Sequence, residues 1–109
     1  MSRKQTIRIA NAGGYWGDDL GQFKRQVERG PVDVVTLDFL AEITMSIMQK
    51  QRARDPEAGY ARDFIAQIDE TLDRLIARDI KVVTNAGGVN PAACRRALLA
   101  LAAKRGRTL

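Results

Sequence analysis

The tetrapeptide Asn-Ala-Gly-Gly occurs twice, at residues 11–14 and 85–88. Each copy ends a short apolar, β-branched run: Ile7-Arg8-Ile9-Ala10 before the first and Ile80-Lys81-Val82-Val83-Thr84 before the second. A run that stops at an amide and two glycines reads as a parallel strand opening into a loop, where open α/β sheets hold their ligands. Two such loops predict one shared site.

The rest of the chain alternates in the same manner. Residues 5–11 read as the first strand. Asp18 or Asp19 caps a helix with Leu20, Phe23 and Val27 on one face, which ends at Gly30-Pro31. Val32 to Leu37 is a second strand of buried type, and Asp38 starts a helix from Phe39 to about Arg54 with Leu40, Ile43, Ile47 and Met48 inward. Asp55 to Gly59 breaks it. Tyr60, Phe64, Ile68, Leu72, Leu75 and Ile76 then recur at helical spacing to about Arg78. After the strand Ile80–Thr84, Asn90-Pro91 supplies a cap and a first-turn proline for a helix with Cys94, Ala97, Leu98 and Leu101 on its apolar face.

The expected fold is a single α/β domain over residues 1–109 with element order βαβααβα. It is three-layered around a parallel sheet, Rossmann-like or flavodoxin-like, with helices on both faces and strand order 2-1-3. That order sets the first and third strands, and hence the two repeated loops, side by side. The last helix runs into Lys104-Arg105-Gly106-Arg107-Thr108-Leu109 where the pattern calls for another strand. The sheet is therefore expected to be incomplete and marginal, its edges covered by the remainder of a longer chain or by self-association.

Charge and composition narrow the function. The net charge of +5 gathers at Arg3/Lys4, Lys50/Arg52/Arg54, Arg95/Arg96 and Lys104/Arg105/Arg107. With no aromatics interleaved, these read as solvated element ends and predict no nucleic-acid partner. No stretch is long and apolar enough for a membrane span or a signal peptide, so no membrane association is expected. A lone cysteine, Cys94, makes no internal disulfide and points to a reducing, cytoplasmic setting. The absence of histidine removes a Ser-His-Asp triad and His-ligated zinc, no Walker loop is present, and no metal is expected; the cofactor is left open.

Three loops should meet at the sheet's carboxyl edge: 11–19, 36–42 and 84–91. Gly13/Gly14 and Gly87/Gly88 let the backbone approach a ligand and turn N–H groups toward an anion. A single Asn-Ala-Gly-Gly is explained by a tight turn; two at equivalent positions favour ligand contact by Asn11 and Asn85. Asp38 and Glu42, four apart, read either as a cap and a dipole partner or as functional. In the functional reading Asp38 is a metal ligand, a ribose hydroxyl acceptor or a general base. Asp18 and Asp19 carry the same ambiguity, so the catalytic candidates are Asp38, Glu42 and Asp18. Trp16, between glycines, is either core or the flat wall of an acyl or prenyl site. Ala12-x-Gly14-x-x-Gly17 keeps two of the three glycines of the dinucleotide fingerprint but sets Tyr15 and Trp16 where a pyrophosphate would approach. Cys94 reads as an inert packed thiol.

Ile9-Ala-Asn-Ala-Gly-Gly-Tyr-Trp-Gly-Asp18, Val35-Thr-Leu-Asp-Phe-Leu-Ala-Glu42-Ile-Thr-Met45, Gly59-Tyr-Ala-Arg-Asp63 and Val82-Val-Thr-Asn-Ala-Gly-Gly88-Val-Asn-Pro91 resemble the N-terminal region of the acyclic terpene utilisation AtuA family. The likeness runs through nearly the whole chain. It implies an N-terminal α/β segment of a longer protein associated with breakdown of acyclic terpenoids such as citronellol and geraniol. It also implies site residues at Asn11, Gly13, Gly14, Asp18, Asp38, Glu42, Asn85, Gly87, Gly88 and Asn90. The expected ligand is acyl or acyl-CoA-like. The alternatives are a non-catalytic nucleotide-binding or accessory module and an inactive fragment.

Overall fold

Parallel strands β1 (Ile9–Asn11), β2 (Val34–Leu37) and β3 (Lys81–Thr84) alternate with helices α1 (Gly21–Arg29), α2 (Glu42–Arg54), α3 (Arg62–Ala77) and α4 (Pro91–Lys104) in the computed structural model. It describes residues 5–109, and the basic pair Arg3/Lys4 lies outside them. The parallel α/β class, the order βαβααβα and the incomplete sheet match the sequence reading.

The strand order does not. It is 1-2-3, with β2 central, rather than 2-1-3. The stitch between β1 and β2 is local: Arg8 N–H donates to the Asp33 carboxylate (2.9 Å), and the Asp33 and Val34 amides both donate to Arg8 O. Because the order never reverses direction, right-handed crossovers put α1 and α3 on the same face. The expectation of helices on both faces is corrected for that reason. Ala10, Val35 and Val82 share one row of the register, on the covered side with buried Leu37. The alternate positions Ile7, Ile9 and Val83 are 61%, 66% and 59% exposed, so the other face is bare among the described residues.

The core lies between sheet and helices. Phe23 and Val27 of α1 meet Phe64, Ile68, Leu72 and Leu75 of α3 over Val35 and Leu37. Full burial of such side chains stabilises by about 1.5–3 kcal/mol each. Phe39, just past β2, packs edge-on against Phe64 with ring centroids 6.1 Å apart. The Arg78 guanidinium reaches across to Val27 O (2.6 Å) and Glu28 O (3.3 Å), satisfying carbonyls at the end of α1. Helix α4 adds Cys94, Leu98 and Leu101 on the α3 side.

Helix α2 departs most from expectation. It begins at Glu42 instead of Phe39, and only Met48 is buried, while Ile43 and Ile47 are exposed. The helix is moored by its far end to the β3–α4 loop, where Arg52 Nη1 donates to Val89 O (2.9 Å). Its Ile43 side is left uncovered by the described residues, with Ile43 76% exposed.

Candidate functional site

The carboxyl ends of β1 and β3 are both tied to the end of β2. Ala12 N–H donates to Thr36 O (2.8 Å) and Asp38 N–H to Gly13 O (3.0 Å) on one side; Thr84 Oγ1 donates to Leu37 O (2.9 Å) on the other. The two repeated asparagines complete this lacing. Asn11 Oδ1 accepts from Thr36 Oγ1 (3.3 Å) and Gly13 N–H (3.5 Å). Asn85 Oδ1 accepts from Phe39 N–H (2.8 Å), and its Nδ2 donates to Asp38 Oδ1 (2.8 Å). With β2 between them, β1 and β3 stand two strand spacings apart, about 9–10 Å. The single cleft lined by both loops is therefore corrected: each Asn faces the end of β2 instead of the other loop.

Asp38 occupies the centre. Its exposed carboxylate accepts from Asn85 through Oδ1 and, through the same atom, from Leu40 N–H (3.0 Å). The Asn85 amide, and then the Leu40 amide, hold its pKa below the ordinary carboxylate value. Oδ2 has no partner among the described residues. Glu42 does not join it, because α2 starts at Glu42 and the two carboxylates are not on one helix.

In the first loop the anion position is already filled. Asp18 Oδ2 accepts from Gly14 N–H (3.0 Å), and its Oδ1 accepts from Asp19 N–H (2.8 Å) and Gln22 Nε2 (3.5 Å). Asp19 takes Gly21 N–H (2.9 Å) at the start of α1 and pairs with Arg25 (2.7 Å). Arg25, then the Gly21 amide, lower its pKa. Gly13 has open space where a side chain would be, with no atom within 4 Å.

The third loop uses the same letters differently. A Cβ at Gly88 would collide with Met48 Sδ and come within 2.7 Å of Gly59 O; one at Gly87 would lie 2.9 Å from Pro91 Cβ. Asn90 accepts from Ala93 N–H (3.4 Å) as the α4 cap and donates to Pro56 O and Ala58 O (both 2.8 Å). These are packing roles. Trp16 is half-buried, donates to Asp63 Oδ2 (3.3 Å) and lines, with Tyr60 and Ala58, a hollow of about 330 Å³ rimmed by Arg54 and Arg62.

Sequence reasoning passed over Gln67. It is 5% exposed, donates to Leu20 O (3.3 Å) and leaves Oε1 unpaired among the described residues. It floors a nook of about 10 Å³ bounded by Gly13, Tyr15, Asp18 and Asp38, room for one water. The signal was a polar residue in the apolar series of α3. Cys94 is buried, and burial pushes its thiol pKa up. Among the described residues no helix is long and apolar enough to cross a membrane, and no group of three or more His, Cys, Asp or Glu could hold a metal.

Residues 7–109 match the family model described as acyclic terpene utilisation family protein AtuA. No curated protein and no solved structure matches the chain.

Proposed function

The chain belongs to the AtuA family of acyclic terpene utilisation proteins, and from that premise we propose that it holds an acyl or acyl-CoA-like ligand at the carboxyl edge of its sheet. The context is the breakdown of acyclic terpenoids of the citronellol and geraniol kind. The observation that carries this reading is the Asp38 carboxylate, exposed at the end of the central strand with one oxygen fixed and the other unpartnered among the described residues. A depressed pKa makes a poor general base at neutral pH and a good acceptor for a hydroxyl, such as that of a CoA ribose. Gly13 leaves room for approach, and the Trp16 hollow offers an apolar wall for the chain.

The alternative, a non-catalytic nucleotide-binding module, draws on the same acceptor. Asp18 weighs against a phosphate of either ligand on the first loop, since it would have to displace that carboxylate from Gly14 N–H, and so the acyl chain is what distinguishes the two readings. Calorimetric titration with acyl-CoA thioesters, free CoA and nucleotides separates the two. Asp38→Asn is expected to weaken thioester binding by about 1–3 kcal/mol, because the ligand hydroxyl loses a charged acceptor. Undiminished binding by that variant, or binding of nucleotides without thioesters, would overturn the proposal.

A further inference from the structure

Among the described residues, Oε1 of Gln67 is the buried side-chain oxygen left without a partner. An acceptor kept in that state costs stability unless something donates to it. Its orientation is set by the other end of the carboxamide. Nε2 donates to Leu20 O (3.3 Å), and a carbonyl only accepts, so the flipped amide would press two oxygens together. The orphan is therefore an acceptor, and it asks for a donor.

The nook over Gln67 measures about 10 Å³ and admits one group the size of a water. Asp18 and Asp38 line it as well. Both Asp18 oxygens are already engaged, Oδ2 by Gly14 N–H and Oδ1 by Asp19 N–H and Gln22 Nε2. Asp38 Oδ1 likewise serves Asn85 and the Leu40 amide, while its Oδ2 has no partner among the described residues. The acceptors that remain are Gln67 Oε1 inside and Asp38 Oδ2 at the exposed edge. A water brings one hydrogen for each.

We propose that a single water seated in this nook donates to Gln67 Oε1 and selects for an alcohol hydroxyl on the ligand that Asp38 takes up. In the free chain its second hydrogen goes to Asp38 Oδ2. With ligand bound, the hydroxyl donates to Asp38 Oδ2, and the water turns that hydrogen to the hydroxyl oxygen. The ligand group at this point must donate and accept at once. An ammonium has no lone pair for the water, and a carbonyl or phosphate oxygen has no hydrogen for the carboxylate. Gln67 acts through the water and is a positioning residue. The inference rests on the hydroxyl-accepting role proposed above for Asp38. A CoA ribose and a hydroxylated acyl chain both carry such a group, and Gly13, with no atom within 4 Å of a Cβ built there, leaves the approach open.

Water–amide NOE spectra of the free chain should show a long-lived water beside the Gly13 and Asp38 amides, lost in Gln67→Leu. Its absence from the wild type would overturn the proposal. Calorimetric titrations with octanoyl-CoA, octanoyl-2′-deoxy-CoA and 3-hydroxyoctanoyl-CoA read the selection. The wild type should bind the probe with the decisive hydroxyl about tenfold more tightly than the one without it. A loss on 2′-deoxygenation assigns that hydroxyl to the ribose, and a gain on 3-hydroxylation assigns it to the acyl chain. Gln67→Leu should reduce the preference to about twofold or less, with affinity for the probe lacking the hydroxyl unchanged; a preference kept in full would overturn the role of Gln67. Thioester binding without any preference in the wild type would sink this inference alone. Binding of no probe would sink the Asp38 reading beneath it and this inference with it.

Discussion

Identical residues need not do identical work, and the two glycine pairs make the point. A methyl group at Gly13 meets open space, whereas at Gly88 it meets Met48 and the Gly59 carbonyl in a backbone held at φ +57°. Gly13→Ala is therefore expected to change stability by no more than about 0.5 kcal/mol. Gly88→Ala should cost about 1–3 kcal/mol, read from denaturant midpoints at constant slope; equal effects would mean that the repeats are equivalent. Asp38 supplies a second residue-scale expectation. Its pKa is lower in the folded state, so its contribution to stability is complete above the unfolded carboxylate value near 3.9 and is lost as pH falls through the lower folded value. The Leu40 amide and the Asn85 side-chain amide should titrate together below about pH 4 in NMR spectra; if the Leu40 shift moves at the ordinary carboxylate pKa, the cap is not formed in solution. The types of residue at the edge were legible from sequence. Their partners were not, because whether Asn85 meets a ligand or Phe39 N–H is decided by which strand lies beside it.

Among the elements, the helices that pack on the sheet were legible because their apolar residues recur at 3.6-residue spacing against a partner that exists. The apolar series of α3 is buried from Phe64 through Leu75. Helix α2 carries apolar letters of the same kind, yet Ile43 is 76% exposed, since periodicity reports a face and says nothing of what covers it. Ile43→Glu is thus expected to shift the unfolding free energy by no more than about 0.5 kcal/mol, and to weaken any concentration-dependent association seen by sedimentation. A large loss of stability in that variant would place Ile43 in the core. The strands were read correctly in type and too long in extent: β1 is confined to Ile9–Asn11, the three residues in register with Val34, Val35 and Thr36 of β2.

For the molecule as a whole, strand order was the feature beyond reach of the sequence. Nothing in an apolar run states which neighbour it pairs with, and here the choice of 1-2-3 over 2-1-3 moves every crossover to one side. That asymmetry has a thermal signature. The heat-capacity change of unfolding arises from apolar surface that water reaches only after the chain opens. Ile7, Ile9 and Val83 are largely hydrated in the folded state, and so contribute little to it. A domain of 109 residues would ordinarily show about 1.3–1.6 kcal/mol/K; calorimetry on the dilute chain should fall below that range. A smaller heat capacity flattens the stability curve, so this one-sided sheet should be low in stability yet unusually even in it, losing little on cooling.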